Sequence, residues 1–157
     1  MPKKIDPLNK KTYGAVTAML TVGDIKAAVE FYRKAFGFTS RGIMNGPDGK
    51  PMHAELRLRD TTLMLGPEMP KGGARSAKTI GASPVTLYLT VEKVDQVVAK
   101  AVKLGATLKG PVGDMFWGDR HGTRTTFTPV AAGVTMRSRY RPPGPSSPSS
   151  SYSSLWR

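Results

Sequence analysis

Residues 16–37 read VTAMLTVGDIKAAVEFYRKAFG, and this stretch decides the fold. Its first part alternates apolar and polar residues, which is typical of a β-strand. Its second part places apolar residues three and four apart, which is typical of an amphipathic helix. Residues 85–105 read VTLYLTVEKVDQVVAKAVKLG and repeat the pattern. An internal repeat of this length predicts two copies of one supersecondary unit.

The first unit extends into a predicted βαβββ module that covers residues 13–66. We expect Asp24 to cap the helix by accepting a hydrogen bond from a free backbone N–H, and Gly37 to end it in the left-handed conformation. The Pro-Asp-Gly sequence within residues 45–51 is typical of a tight turn and predicts a hairpin. The further strands of this module are predicted at residues 38–44, 52–58 and 61–66.

The second unit predicts a second module over residues 84–138, with a helix that ends at Gly105 and a strand over residues 107–112. After Gly122 the alternation is weak, so the sequence does not define the last strand of this module. The remaining segments are a flexible arm (1–12), a linker rich in Gly, Pro and Ala (67–83) and a Pro/Ser-rich tail (139–157) that we expect to be disordered.

With 157 residues, the chain fits one domain that can bury a hydrophobic core. It contains no cysteine, which excludes disulfides, thiolate metal sites and thiol nucleophiles. No apolar run approaches the ~18 residues that a membrane-spanning helix needs. The basic N-terminal residues do not resemble a secretory signal. We therefore expect a cytoplasmic protein without a membrane partner.

The chain carries a formal net charge of +13. All 11 acidic residues lie at or before Asp119, whereas six arginines and no lysine follow it. A nucleic-acid site usually shows a clustered basic stripe with interleaved aromatic residues, but the basic residues before Asp119 are scattered. Nucleic acid is therefore not the expected partner. Binding of nucleic acid or of an acidic partner through the Arg-rich tail remains a second alternative function.

Four segments carry a resemblance to a known family. They read AAVEFYRKAFGF (27–38), PDGKPMHAELRL (47–58), LYLTVEKVD (87–95) and DMFWGDRHG (114–122). In this order they resemble the vicinal oxygen chelate superfamily, which includes glyoxalase I, bleomycin-resistance proteins and extradiol dioxygenases, and within it the PhnB-like branch. The resemblance implies an α+β fold in which two βαβββ modules form a curled mixed sheet around a shared cavity, commonly in a homodimer.

The resemblance also shows where this chain departs from the family. Metal-using members place a histidine on the first strand of each module and a glutamate on the fourth strand of the first module. This chain has Thr17, Thr86 and Met64 there, and these side chains are poor ligands for a divalent ion. We expect no metal and no other cofactor. The family's final Asp-Pro-x-Gly turn and Trp-bearing strand are missing after Gly122, which suggests a divergent end or a shifted reading frame.

The strand faces turned away from the helices are expected to line the cavity. This face carries Thr17, Met19, His53, Glu55, Met64, Thr86 and Tyr88. His53 and Glu55 lie two apart on one strand and point the same way. An imidazole beside a carboxylate can act as an acid/base pair. The alternative is a polar anchor in which Glu55 binds an arginine such as Arg57 or Arg120.

Residues 116–120 form a second group of candidate ligand-binding residues. It consists of Phe116, Trp117, Asp119 and Arg120. The aromatic rings offer a stacking wall, and the guanidinium can hold an anionic or carbonyl group. The alternative is a hairpin closed by an Asp–Arg pair, with the Trp packed at the junction of the modules.

The first functional hypothesis is a metal-free protein of the glyoxalase/bleomycin-resistance-like fold that holds a small-molecule ligand between its two modules. The alternative is a glyoxalase-like lyase or isomerase that acts on a small carbonyl compound, with Glu55 or His53 as the acid/base. The sequence leaves open whether the protein is an enzyme.

Overall fold

Each copy of the repeat forms a strand followed by a helix, and further strands pair with it. The computed structural model describes residues 12–83, 85–127 and 133–139. The first module contains β1 (Ala18–Val22), α1 (Ile25–Phe36), β2 (Thr39–Asn45), β3 (Pro51–Leu58) and β4 (Thr61–Pro67). The second contains β5 (Thr86–Thr90), α3 (Val94–Lys103), β6 (Ala106–Leu108), β7 (Val112–Asp114), β8 (Asp119–Phe127) and β9 (Gly133–Arg139). The predicted α+β fold with two βαβββ modules is confirmed.

Helix α1 begins and ends as the sequence predicts. The Asp24 carboxylate accepts a hydrogen bond of 3.0 Å from the backbone N–H of Ala27, which satisfies one of the free donors of the first turn. Gly37 adopts φ of 76° and ends the helix in the left-handed conformation. The predicted apolar stripe is buried, and it consists of Ile25, Ala28, Val29, Tyr32, Ala35 and Phe36.

The sheet of the first module has the strand order β1-β4-β3-β2. β1 runs parallel to β4, and the hairpin of β2 and β3 is antiparallel, as its turn predicts. Ala54 and Leu56 of β3 are fully buried on the helix side of the sheet. Val16, the first residue of the repeated stretch, lies before β1 and is 91% exposed, so the buried side of β1 consists of Leu20 and Val22.

The second sheet repeats this arrangement with the order β5-β9-β8-β6. β5 runs parallel to β9, as β1 does to β4. The strand predicted over residues 107–112 is instead two short strands, β6 and β7, which pair with successive parts of β8. The three residues between them include Gly110 and Pro111, which interrupt regular strand pairing.

β9 supplies the strand that the sequence does not define. Val134 and Met136 are fully buried within the hydrophobic core, and they alternate with Thr135 and Arg137 along the strand. The next position on the same side is Ser138, which is polar although it is buried, so the apolar alternation is limited to two residues. β9 lies between β5 and β8. The edge of β5 that would have been unpaired without a last strand is therefore covered.

The segment predicted as a linker contains a 3₁₀ turn at Pro70–Gly72 and a short helix, α2, at Ala77–Ile80. Glu68 stabilises this segment, because its carboxylate accepts hydrogen bonds from the Ser76 N–H at 2.8 Å and from the Thr79 hydroxyl at 2.5 Å. These bonds, led by that from Thr79, lower the pKa of Glu68 to about 2. The predicted tail beyond Arg139 and the predicted arm before Thr12 lie outside the described residues.

The two modules meet through their helices. α1 packs against α3, and one hydrophobic core contains buried residues of both modules. A groove of about 280 Å³ lies at this junction, with Phe36 and Leu58 on one side and Val91 and Val97 on the other. None of the helices in the described residues has the length and apolar character that crossing a membrane requires.

Replacement of Tyr32 by phenylalanine is expected to stabilise the protein. Tyr32 is fully buried, its ring packs against Phe38, and its hydroxyl has no hydrogen-bond partner among the described residues. Burial also raises its pKa. An unsatisfied buried hydroxyl costs free energy, so Tyr32→Phe should raise the free energy of unfolding by about 1 kcal/mol in urea titrations. The exposed Tyr88→Phe is the matched control and should change little; a destabilised Tyr32→Phe would contradict the prediction.

Candidate functional site

Each sheet has one face against its helix and one open face. In β3 and β4 the buried residues alternate with His53, Glu55 and Met64, which therefore point to the open side. We call this side of the first sheet the first face. The second face is the open side of the second sheet, and it carries Tyr88, Asp119, His121 and Arg137 together with the neighbouring Trp117.

Methionines and a carboxylate form one row across the first face. Met19 lies opposite Met64 in the pairing of β1 with β4, and Met64 lies opposite Glu55 in the pairing of β4 with β3. Met19 is 57% exposed. A Cβ at Gly66 would lie only 2.6 Å from the Met19 methyl group, so the glycine leaves room for this side chain. The row joins two soft apolar groups to one charged group.

Glu55 has two hydrogen-bond donors and one further polar neighbour on the first face. The Tyr13 hydroxyl donates a hydrogen bond of 2.6 Å to Oε1, and Arg41 Nη1 lies 3.4 Å from Oε2. His53 Nε2 lies 3.7 Å from Oε1, so the structure brings the two predicted acid/base residues together. The arginine beside Glu55 is Arg41, whereas the sequence suggested Arg57 or Arg120.

Residues 12–13 run across the first face and form a strap. The Thr12 carbonyl accepts hydrogen bonds from Arg57 Nη1 at 3.0 Å and from the Thr62 hydroxyl at 2.8 Å. These two bonds place Tyr13 over Glu55, and the hydrogen bond to Glu55 is the main reason that the pKa of Tyr13 is raised. Sequence reasoning missed Tyr13 because its partner lies 42 positions away and no local pattern links them.

Arg137 is the central charged group of the second face. In the sheet it lies opposite Thr90 on one side and His121 on the other. Its guanidinium lies 5.4 Å from the centre of the Tyr88 ring, which is a cation–π contact. It also lies 3.4 Å from the Asp119 carboxylate. Arg137 was not among the predicted site residues, because the sequence left its strand undefined.

Aromatic rings extend the second face towards the turn between β7 and β8. The His121 ring lies 5.9 Å from Tyr88 and 6.0 Å from Trp117, and Phe116 stacks edge-on against Trp117 at 4.8 Å. Tyr88 and Trp117 are each about half exposed, and Phe116 is 76% exposed. The His121 Nδ1 atom is buried and has no hydrogen-bond partner among the described residues. These rings form one partly exposed aromatic surface, and its use as a stacking wall for a ligand stays a prediction.

Arg120 lies on the other side of β8. Its guanidinium binds both oxygens of Asp95, in the first turn of α3, at 2.8 Å and Asp114 at 2.9 Å. Gly122, two residues on, faces the same side, where a Cβ would lie 3.0 Å from Val98 of α3. The structure therefore separates Arg120 from Asp119, which were predicted as one group, and ties Arg120 to the helix.

At three positions where metal-using relatives carry ligands, this chain has side chains with weak donor groups. Thr17 lies immediately before β1, Thr86 is the first residue of β5, and Met64 lies in the methionine row. Hydroxyl and thioether groups are weak ligands for divalent metals. Across residues 12–83, 85–127 and 133–139, no group of three His, Asp or Glu side chains is placed to hold an ion. The donor set does not fit the metal of the family.

The sequence model of the Glyoxalase/Bleomycin resistance protein/Dioxygenase superfamily matches residues 14–130. The chain belongs to this superfamily. The match covers the first module and the second module as far as β8, and it ends before β9, so Arg137 of the second face lies outside the matched residues.

The chain is also similar to individual proteins and solved structures. An uncharacterized protein of Mycobacterium bovis is 40% identical over 69% of this chain and 73% of its own length. One of Mycobacterium tuberculosis shares that identity over 65% of its own length, just under two thirds. A gene product of Arabidopsis thaliana has a TM-score of 0.60 at 26% identity, over 82% of this chain and 99% of its own. TnmS3, an antibiotic binding protein from Streptomyces sp. CB03234, has a TM-score of 0.54 at 20% identity, over 81% of this chain and 99% of its own.

Removal of the Arg120 guanidinium should change the titration of α3. Arg120 lowers the pKa of Asp95, chiefly through its hydrogen bonds. In Arg120→Met the pKa of Asp95 should rise towards the usual carboxyl range in an NMR pH titration. A lowered folded-state pKa stabilises the protein above about pH 4 and loses this effect as the pH falls, so the variant should lose stability at neutral pH and little at low pH.

The control for this titration is Glu30, whose pKa is lowered mainly by Lys34 on α1. Its titration should be unchanged in Arg120→Met. An Asp95 that titrates identically with and without Arg120 would show that the pair does not persist in solution.

Proposed function

We propose that the protein binds a small planar organic molecule against its open faces. The ligand lies between two modules, the first module of one copy and the second module of another. The observation that carries this proposal is the placement of Arg137 over Tyr88 on an exposed sheet face, with His121 and Trp117 beside it. Exposed aromatic rings next to a charged group are typical of a site that combines stacking with one specific polar contact.

The chemistry of the second face favours a ligand with an anionic or strongly polar carbonyl group. Arg137 offers a planar set of N–H donors, and its present acceptors are the Asp119 carboxylate at 3.4 Å and the Thr90 hydroxyl at 3.3 Å. Both contacts are long for hydrogen bonds, so a carboxylate of a ligand would be a better acceptor. The rings of Tyr88 and Trp117 then supply stacking area for the ligand's planar part.

A homodimer would complete the site. Within one chain the modules meet through α1 and α3, so their contact does not cover the apolar side chains of the open faces. Met19, Tyr88 and Trp117 are each about half exposed. A second copy that places its first face against the second face would bury them around the ligand. The proposal includes membership of the PhnB-like branch, a cytoplasmic location and assembly as a homodimer.

Two further points support the proposal. TnmS3, which shares the fold, is an antibiotic binding protein, so a protein of this fold can serve as a binder. The substitution of Thr17, Thr86 and Met64 at the metal positions favours binding through stacking and hydrogen bonds rather than through a metal. The metal-free state therefore stays part of the proposal.

Naphthoate is a suitable probe for the second face, and naphthamide is its neutral counterpart of equal shape. The protein should bind naphthoate more tightly than naphthamide in an NMR titration, with the largest shifts at Tyr88, His121 and Arg137. Arg137→Met should raise the dissociation constant for naphthoate about tenfold, because a hydrogen bond to a charged group is lost.

The matched control is Arg33→Met, since Arg33 lies on the exposed side of α1 and pairs with Glu30. This variant removes the same charge from the protein and should leave naphthoate binding unchanged. Equal weakening in both variants would mean that only the net charge matters, and the proposed site would then be wrong.

The second candidate is a lyase or isomerase that acts on a small carbonyl compound. The observation that favours it is the distance of 3.7 Å between His53 Nε2 and Glu55 Oε1. Such an enzyme should exchange the protons of hydroxyacetone next to its carbonyl for solvent deuterium, and His53→Ala should reduce this rate at least tenfold. An exchange rate equal to that of buffer would exclude this activity for the probe.

A further inference from the structure

Tyr13 resembles a bound ligand more than a core residue. Its hydroxyl donates to Glu55 Oε1 at 2.6 Å, and the Arg41 guanidinium lies 5.7 Å from the centre of its ring. The side chain is half-buried and precedes the first strand. Tyr32 shows the contrast, because it is fully buried among other aromatic rings and its hydroxyl has no partner among the described residues.

The strap holds Tyr13 in place through its backbone. The Thr12 carbonyl accepts two hydrogen bonds, from Arg57 and from Thr62, so the chain is fixed one residue before the ring. The ring itself is then held by a carboxylate and a cation, which are recognition contacts rather than close packing. These contacts indicate which kind of ligand the surrounding side chains can bind.

We infer that Glu55 and Arg41, with His53 beside them, form a subsite for a phenolic hydroxyl on the first face, and that Tyr13 is the chain's own occupant of it. The inference rests on the proposed function, since it names the ligand chemistry of one of the two open faces. A phenolic ligand that enters this subsite displaces the Tyr13 ring from Glu55.

Each partner of Tyr13 selects one feature of a phenol. The Glu55 carboxylate accepts the O–H, which a plain aromatic hydrocarbon lacks. The Arg41 guanidinium lies against the ring, which an aliphatic alcohol lacks. The negative charge of Glu55 opposes a second carboxylate, so an aromatic acid is disfavoured here although the second face accepts one.

The methionine row suits the same class of ligand. Met64 lies opposite Glu55 in the sheet, and Met19 lies opposite Met64. Thioether groups make favourable contacts with aromatic rings and adapt to rings of different shape. A hydroxyaromatic molecule larger than Tyr13 could therefore extend from Glu55 along this row.

The test is chemical replacement of the Tyr13 side chain. The probes are p-cresol, which is the tyrosine side chain itself, and toluene, which lacks only the hydroxyl. In Tyr13→Ala the subsite is open, so p-cresol should bind at least tenfold more tightly than to the unmodified protein and at least tenfold more tightly than toluene does. NMR shifts should appear at Arg41, His53 and Met64, and p-cresol should raise the melting temperature of the variant.

Tyr13→Phe keeps the ring in place, and it is the variant to test if Tyr13→Ala does not fold. It weakens the hold of the strap on Glu55, so p-cresol should bind it several-fold more tightly than it binds the unmodified protein. Tyr13→Ala combined with Glu55→Ala should lose the preference for p-cresol over toluene, because the acceptor of the hydroxyl is gone.

Equal affinity of p-cresol and toluene for Tyr13→Ala, or shifts confined to residues outside the first face, would overturn the phenol subsite. Naphthoate binding by the unmodified protein reports separately on the proposed function, because it takes place at Arg137. If naphthoate binds at Arg137 while p-cresol shows no preference, the phenol subsite fails and the proposed function stands.

Discussion

The whole structure depends on the burial of one face of each sheet under one helix. In β3 and β4 the residues Ala54, Leu56 and Leu65 have no exposed surface, and the apolar stripe of α1 covers them. Burial of this kind contributes about 25 cal/mol per Å² of apolar surface and fixes the register, since a slip by one residue would turn every side chain to the wrong side. The alternate residues of the same strands are thereby freed from packing. They are the ones that form the open faces and carry the candidate chemistry.

Much of the fold could be predicted because its signals are local. The Asp24 cap, the Gly37 stop and the hairpin turn each depend on a few neighbouring residues, and all three are found. The alternation of β3 likewise placed His53 and Glu55 together. What could not be predicted depends on pairing across the chain. Tyr13 meets Glu55 over 42 positions and Arg120 meets Asp95 over 25, and no periodicity encodes such contacts. The last strand was missed for a different reason, because its buried side carries only two apolar residues, Val134 and Met136, which the polar Ser138 follows.

The two open faces pair a carboxylate with a guanidinium, but their apolar groups differ. The first has two methionines in one row with Glu55, whereas the second has the aromatic rings of Tyr88, Trp117 and His121 around Arg137. Both derive from the same repeated unit, so the difference lies in the side chains and not in the backbone. Thr17 and Thr86 occupy equivalent positions in the two copies, where metal-using relatives carry histidines. Hydroxyl groups at both positions are weak ligands for a divalent ion. In the proposed function each face therefore recognises a different part of the ligand by hydrogen bonds and stacking.

The charged groups of both faces already have partners within the chain. Glu55 accepts from Tyr13, and Arg137 lies beside Asp119 and Thr90. A ligand must therefore replace an internal contact rather than fill an empty one, and only the difference between the two contacts contributes to binding. For the proposed ligands, the short bond of Tyr13 to Glu55 would be the harder contact to replace, and it favours a phenol over a weaker donor. The long contacts of Arg137 would be easier to replace, and many carboxylates could do so. The first face should thus contribute most of the selectivity among ligands, and the second face most of the binding affinity.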